Sequence, residues 1–439
     1  MASYGLCMFV VLTAAYFFVY FHRVMTGTVG ADVVRDLGGS IGVLSSIYFW
    51  TYALMQIPSG LLADRLGPRK ATFIFLSIAA AGSLITCAAD VFWMAVMGKM
   101  LIAAGMAVVY IPLMKLISVW FPKSDFALLN GIVISVGNVG AIAAAAPLEM
   151  LVDAVGWRDT FAALAVATAA LAVLCLAVVR DHPHRKGLPG IEEMDFDDSG
   201  TPISDDTDAR LPVAAGLRMV ASGGRRFWPI SIAYFFVYGS IMVFQGTWAK
   251  TYFDNVYDFA VSAAWIVTAI GVGKILSTVI IGAMSSRRLI RTKRGAMLFG
   301  SICFAATWGV IWAMAGAVGS YWFWVTVGFL FGFFGGFMTL SFTQVKEWYP
   351  VAISGTAVSA VNMSLFLGAA VCTALTDVVV GKSYALGNFT NLWLLMFAFS
   401  VIAAMFVFMS KEKKEDDVPR GHRTERAFLR VQAPRLRQR

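Results

Sequence analysis

Charged side chains are scarce in this sequence. They make up 14% of its 439 residues, whereas hydrophobic residues make up 59% and the mean hydropathy is +0.73. Ordinary soluble domains carry roughly 25% charged residues, so this scarcity excludes a water-soluble globule and indicates an integral protein of the lipid bilayer. The apolar runs last about 20 residues or more, which predicts spanning α-helices and excludes the short alternating strands of a membrane β-barrel.

Cysteines are few and lie far apart along the chain. The five are Cys7, Cys87, Cys175, Cys303 and Cys372. None has the C-x-x-C spacing of a disulfide framework or a metal site. The sequence also lacks a nucleophile–base constellation, a metal-ligand cluster and a nucleotide-binding loop. We therefore predict no enzymatic activity, no cofactor and no metal.

The apolar runs predict twelve spans. They lie at about 4–34, 40–61, 70–89, 92–120, 126–150, 159–179, 228–250, 262–285, 296–317, 320–345, 352–376 and 391–410. If the amino terminus is cytoplasmic, the outer loops hold only Arg35, Arg158, Lys250 and Lys382. Nearly all other loop cations then lie inside, so the positive-inside rule predicts that both termini are cytoplasmic. The net charge of +9 is explained by this topology and by contact with anionic lipid, without nucleic-acid binding.

A polar segment rich in acidic residues divides the spans into six and six. We predict a first six-helix bundle at 1–180, a cytoplasmic linker at 181–226, a second bundle at 227–410 and a basic cytoplasmic tail at 411–439. The two halves repeat each other, because the six residues AYFFVY occur at Ala15–Tyr20 in span 1 and at Ala233–Tyr238 in span 7.

A charged turn, GLLADRLGPRK, joins spans 2 and 3 at Gly60–Lys70. It resembles the signature loop of the major facilitator superfamily. The resemblance implies an all-α membrane protein of twelve transmembrane helices in two pseudo-symmetric six-helix bundles, with a substrate site between them near the midplane. It also implies that four residues of the loop latch one conformation. They are Asp64, Arg65, Arg69 and Lys70.

Cations inside the spans are the sharpest functional signal, because charge in a membrane is costly. The basic residues within the spans are Arg23, Lys99, Lys115 and Lys274, accompanied by His22. No acidic residue lies clearly in the middle of a span, so we expect a substrate anion to balance the cations. Lys99 and Lys115 could instead extend to the interface.

Arg23 is the strongest candidate for binding the anion, because its guanidinium suits carboxylate or phosphate. Tyr16, Tyr20 and Arg23 share one helix face. The Tyr20–Arg23 spacing, with Lys115 and Trp120-Phe121-Pro122, resembles the organophosphate and organic anion permeases, including the anion:cation symporters. Many of those symporters carry a carboxylate beside this arginine and another in helix 4; His22 and the apolar residues near Met106 stand there instead.

Further candidates follow from polar residues on the helix faces. For substrate binding they are Lys274, Lys115, Tyr16, Tyr20, Tyr48, Tyr52, Gln56, Asn138, Tyr234, Tyr238, Gln245 and Asn362. For ion coupling they are His22 and Lys99. An imidazole titrates near neutral pH, so His22 could carry a proton, or the protein could exchange anions without one. The amides could equally hold helices together.

We therefore predict a secondary active transporter that moves a small organic anion by alternating access. The anion would be a carboxylate, a sugar acid or a phosphate ester. The transport would be anion exchange or symport with a proton or sodium, by a monomer in the bacterial cytoplasmic membrane. The alternatives are a drug or metabolite exporter of the same superfamily and a carrier-like membrane sensor of a sugar phosphate.

Overall fold

A computed structural model gives the fold of the chain. It describes residues 2–122, 125–181, 218–257, 259, 262–286, 292–349, 351–381 and 384–411. All regular elements in these ranges are helical, and ten of their helices are long and apolar enough to cross a membrane. A shorter apolar helix, Leu128–Ala143, belongs to span 5. The predicted all-α membrane architecture is confirmed. Residues 182–217 of the predicted linker and residues 412–439 of the predicted tail lie outside the described residues.

The helices of the first half follow the predicted spans, with several interruptions. They are Ala2–Val24 with Thr26–Leu37 for span 1, Ile41–Cys87 for spans 2 and 3, Phe92–Ala107 with Tyr110–Trp120 for span 4, and Phe126–Ala143 with Ala146–Val178 for spans 5 and 6.

The helices of the second half repeat this order. They are Trp228–Val243 with Ala249–Val256 for span 7, Ala264–Ser286 for span 8, Lys293–Ala313 for span 9, Tyr321–Gly335 with Leu340–Trp348 for span 10, Val351–Val380 for span 11 and Leu386–Met409 for span 12.

Hydroxyl side chains set the start of three spans. Ser40 accepts a hydrogen bond from the Val43 amide at the start of span 2, Thr292 caps span 9 and Ser320 caps span 10 in the same way. Each cap satisfies an amide that would otherwise lack a partner at a helix N-terminus. Local sequence therefore fixes where these spans begin.

Two glycines turn the chain between spans without a long loop. Gly67, between spans 2 and 3, has φ 74° and ψ 162°, and Gly156, between spans 5 and 6, has φ 82° and ψ 163°. Only glycine reaches this region at low cost. The carboxylate of Asp181 lies close to Gly67 and accepts a hydrogen bond of 2.9 Å from the Arg69 amide. The signature loop is thus attached to the end of span 6.

Helix interruptions lie at matching depths in the two halves. Span 1 breaks at Met25, and span 7 contains a π-helical turn at Phe244–Trp248. Such irregular turns release backbone groups and are frequent at functional sites. At this level a Cβ on Gly27 would lie only 3.0 Å from the backbone of Gly246, so spans 1 and 7 approach each other closely.

Polar contacts join the two halves from one end of the molecule to its middle. At the end that carries the 5–6 turn, Glu149 pairs with Lys250 at 3.0 Å and accepts a hydrogen bond from Ser262. We call these three residues, with Asp254 beside Lys250, the Glu149 cluster. Nearer the middle, the hydroxyls of Ser45 and Thr247 lie 2.8 Å apart. The candidate substrate-binding residues lie between this end and the end that carries the 2–3 turn.

Candidate substrate-binding site

Arg23 lies at the boundary between the halves in a cage of aromatic rings. Its guanidinium carbon is 4.2 Å from the ring centroid of Tyr20, 5.2 Å from that of Tyr52 and 4.8 Å from that of Phe366. The residue is 5% exposed. Buried cation–π contacts of this kind contribute about 2 kcal/mol each, so the rings stabilise a charge that no described carboxylate balances.

The hydrogen-bonding capacity of Arg23 is only partly used. One terminal nitrogen donates to the hydroxyl of Tyr238 across the interface at 3.2 Å. Within the described residues the buried Nε has no hydrogen-bond partner. A guanidinium that stacks on rings through its faces still offers N–H groups at its edge, and these suit a planar anion. The arrangement leaves donors available to a ligand.

Lys274 supplies a second cation to the same place from span 8. It is half-buried, and its ammonium nitrogen is 5.6 Å from the ring centroid of Tyr238. No hydrogen bond or ion pair to this nitrogen occurs within the part of the chain that the structure describes. Tyr238 therefore contacts both cations, Arg23 through its hydroxyl and Lys274 through its ring.

A small cavity of about 10 Å³ lies between these groups, enough for about one water molecule. Spans 1, 5, 7 and 8 line it. The lining residues are Tyr20, Arg23, Val24, Asn138, Ala141, Tyr238, Met242, Gln245, Gly271 and Lys274. The lining contains two cations and no acidic side chain, so the electrostatic field in the cavity favours an anion.

The structure brings six of the sequence-predicted binding residues together around this cavity. They are Tyr20, Arg23, Asn138, Tyr238, Gln245 and Lys274. These six come from four spans and both halves. Their convergence is the geometry that a binding site between two bundles requires.

Other predicted residues surround the cavity without lining it. The ring of Tyr16 lies 5.3 Å from that of Tyr20 and 5.2 Å from that of Tyr110. The hydroxyl of Tyr48 donates to the Val19 carbonyl at 3.2 Å, and Tyr52 contacts Arg23 through its ring. Tyr16 and Tyr52 therefore pack against residues that line the cavity, and Tyr48 stacks on Tyr52.

Three further candidates, Gln56, Asn362 and Tyr234, make contacts on the side of the cavity toward the 2–3 turn. The amide of Asn362 donates to the Oε1 atom of Gln56 at 2.9 Å, which joins spans 2 and 11. Tyr234 packs on Tyr238 and on Phe342. Gln56 and Asn362 therefore form a hydrogen bond between the two halves.

The coupling candidates His22 and Lys99 lie next to each other, outside the cavity lining. The Lys99 ammonium donates to the His22 carbonyl at 3.3 Å and lies 5.5 Å from the Tyr48 ring centroid. The Nδ1 atom of His22 lies 3.0 Å from the sulfur of Met25, and its Nε2 atom has no partner within the described residues. A buried imidazole and a buried ammonium therefore share one side of the helix that carries Arg23.

Lys115 and the signature loop lie away from the cavity. The ammonium of Lys115 donates to the Ala63 carbonyl at 3.5 Å, near the end of span 2. Arg65 and Lys70 are exposed, and Arg69 donates through Nε to the Leu176 carbonyl at 2.8 Å. The side chain of Asp64 lies outside the described residues, so its predicted role in the latch stays a prediction.

Sequence reasoning missed the apolar part of the site. Val24, Ala141, Met242 and Gly271 also line the cavity, and Phe366 completes the cage around Arg23. Helical spacing was an available signal for most of them, because Ala141 follows Asn138 by one turn and Met242 follows Tyr238 by one turn. A search restricted to polar residues could not find them.

Comparison with known proteins identifies the family of this architecture. The model of the Major Facilitator Superfamily matches residues 12–302 and 260–438, nearly the whole chain. The chain belongs to the major facilitator superfamily. The resemblance seen in the signature loop is thereby confirmed.

The relatives of this facilitator include transporters of several kinds. This chain is 24% identical over 310 residues to a probable sulfoacetate transporter of Cupriavidus necator, and the match covers 67% of this chain and 70% of that protein. It is 22% identical over 374 residues to a probable hexose phosphate transport protein of Chlamydia trachomatis, covering 81% and 80%. These relationships agree with the prediction that the chain is a transporter and not an enzyme.

A solved structure supports the fold alone. A bacterial homologue of the human lysosomal transporter Spinster, in an inward-facing and unoccupied conformation, matches with a TM-score of 0.70 at 16% identity. The match covers 92% of this chain and 96% of the other. The two six-helix bundles of this facilitator are therefore those of a known transporter architecture.

Proposed function

We propose that this facilitator is a secondary active transporter that carries a small organic anion across the bacterial cytoplasmic membrane. The observation that carries the proposal is the cavity between the halves, where Arg23 and Lys274 are present without an acidic side chain among the described lining residues. Two relatives are named for anions, sulfoacetate and hexose phosphate. A substrate anion is the natural partner for cations that would otherwise stay desolvated and unpaired.

Contacts between the halves support alternating access. With both termini cytoplasmic, as the positive-inside rule predicts, the Glu149 cluster lies at the outer face. Within the described residues, hydrogen bonds cross between the halves at this end, near the middle and on the side toward the 2–3 turn, and the ion pair between Glu149 and Lys250 crosses at this end. We infer that the Glu149 cluster holds the outer face closed and must open when an anion enters from outside.

His22 and Lys99 are the proposed coupling pair. Both are buried, and the Lys99 ammonium of span 4 donates to the carbonyl of His22, the residue that precedes Arg23 on span 1. We expect Lys99→Gln to abolish net uptake driven by an ion gradient while exchange of internal for external anion continues. Equal loss of net uptake and exchange would contradict a coupling role, because a residue needed only for coupling is dispensable for exchange.

A ligand screen tests the proposed function. Purified protein is mixed with carboxylates, sugar acids, phosphate esters, inorganic anions and lipophilic cations, and thermal unfolding is measured. A ligand at 100 times its Kd stabilises the folded state by about 2.7 kcal/mol. We expect one anion class to stabilise the wild type and not Arg23→Ala.

The matched control is Arg35→Ala, on the same span. Its side chain is 74% exposed, and the substitution should leave ligand stabilisation intact. Stabilisation by lipophilic cations and by no anion would contradict the proposal and favour an exporter. Stabilisation by a sugar phosphate without flux through vesicles would favour a sensor.

A further inference from the structure

The two cations of the cavity lie on opposite sides of the interface. Arg23 belongs to span 1 of the first half and Lys274 to span 8 of the second, and Tyr238 lies between them. None of the described residues that line the cavity has an acidic side chain. A singly charged ligand would leave one of the two cations without a counter-charge.

The two cations also offer different hydrogen-bonding geometry. Three aromatic rings surround the Arg23 guanidinium and leave donors at its edge, which suits a planar carboxylate or a sulfonate. Lys274 presents a compact ammonium that has no hydrogen bond or ion pair within the described residues and can bind an anionic group from many directions. The pair therefore suits two separate anionic groups better than one.

The neutral groups of the lining fit the space between these two charges. The side chains of Asn138 and Gln245 line the cavity and are at most 5% exposed, and the Gly271 backbone lies near the Gln245 amide, since a Cβ at Gly271 would be 3.8 Å from its Nε2 atom. Amides at this position can bind the oxygen atoms of a short chain without adding charge. The cavity itself holds only about one water molecule, so a ligand enters when the halves move apart. Because Arg23 and Lys274 both contact the Tyr238 side chain, a molecule that bridges the two cations is short.

We propose that the site is selective for a short dianion with one anionic group at each end, and that Lys274 determines the preference for two charges over one. This proposal rests on the proposed function, because it assigns a substrate class to the same site. A ligand held in this way connects span 1 to span 8. Binding of its two ends therefore favours approach of the halves.

Pairs of ligands that differ by one charge test the proposal. Succinate is compared with succinamate, and sulfoacetate with its carboxamide, by thermal unfolding and by isothermal titration of the full-length protein. In the pair whose dianion has the lower Kd, we expect that dianion to bind the wild type at least about tenfold more tightly than the matching monoanion. Lys274→Gln should remove this difference by weakening the dianion, and Lys274→Arg should keep it.

The control variant is Lys346→Gln, which removes the same charge from an exposed position on span 10. It should leave the ratio of the two Kd values unchanged. Equal affinity of the wild type for the monoanion and dianion of both pairs would overturn the dianion proposal while leaving an anion transporter intact. Binding of no anion at all would instead overturn the proposed function.

A third ligand separates two dianions of different shape. Methyl phosphate carries both charges on one group, whereas succinate carries them at two ends. Tighter binding of methyl phosphate than of succinate and sulfoacetate would overturn the two-ended arrangement. Tighter binding of a two-ended dianion, with the difference lost in Lys274→Gln, supports it.

Discussion

The Glu149 cluster should hold one end of the transporter closed, and Glu149→Gln should weaken it by a predictable amount. Glutamine keeps the size of the side chain and an acceptor for Ser262, but it removes the charge that faces Lys250 at 3.0 Å. Lys250 keeps its second partner, Asp254, at 2.7 Å. The substitution therefore replaces the ion pair with an ion–dipole contact to Lys250 and the charge-assisted hydrogen bond from Ser262 with a neutral one, and it leaves no buried charge unpaired.

The expected cost follows from the burial of the pair. The Glu149 side chain is 15% exposed and that of Lys250 is 17% exposed, so solvent screens the interaction only in part. Hydrogen bonds to charged groups contribute about 1.5–3 kcal/mol and neutral ones about 0.5–1.5 kcal/mol. We expect a loss of about 1–2 kcal/mol, which raises the population of molecules open at this end about fivefold to thirtyfold.

Hydrogen exchange measures this opening directly. Amides of the helix Ala249–Val256 should exchange faster in Glu149→Gln by the same factor, because exchange of protected amides follows the population of the open form. The double variant with Lys250→Gln should cost less than the sum of the single changes, since both remove one interaction. The control is Glu347→Gln, which removes a carboxylate from the more exposed pair with Lys293. Unchanged exchange in Glu149→Gln, or an equal change in the control, would refute the reasoning.

Three further substitutions test the site and its support. Arg23→Lys keeps the charge but loses the planar set of guanidinium donors that can bind an anion through two hydrogen bonds, so the Kd of the anion should rise about tenfold or more in titration calorimetry. An unchanged Kd would refute bidentate binding. Gly140→Ala would place a Cβ 2.2 Å from the Phe17 carbonyl, so we expect about 1–3 kcal/mol of destabilisation in thermal unfolding. Gly131→Ala in the same helix, with open space around it, should be neutral or stabilising, and equal effects would contradict the packing argument. Gly67→Ala should slow uptake in vesicles and lower the Tm, because φ 74° strains alanine and its Cβ would lie 2.8 Å from Asp181; wild-type behaviour would exclude this turn as a constraint.

The sequence predicts the spans well because hydrophobicity alone decides which segments enter a bilayer. The helix interruptions at Met25 and Phe244–Trp248 are harder to predict, since no proline marks them, although Gly27 and Gly246 lie in these segments. They arise where spans 1 and 7 pack closely, which is a property of the assembled halves. Gly27 and Gly246 are the trace of that contact in the sequence, because small residues let two helices approach closely.

The site was predictable to the extent that charge identifies it. Arg23 and Lys274 were candidates because each is a cation in an apolar span, and the structure places both at one cavity. Lys99 and Lys115 satisfy the same rule but face other neighbours. Burial cost predicts that an intramembrane cation needs a partner, and tertiary packing decides whether that partner is a carbonyl, a ring or a ligand.

Flux through reconstituted protein tests the central claim most directly. Proteoliposomes that contain wild type, Arg23→Ala or Arg35→Ala are supplied with radiolabelled sulfoacetate or succinate, and protein-dependent uptake is measured. The account predicts saturable uptake of at least one of these anions by the wild type and by Arg35→Ala, and its loss in Arg23→Ala. Uptake by Arg23→Ala at the wild-type rate, or transport of lipophilic cations and of neither anion, would contradict it.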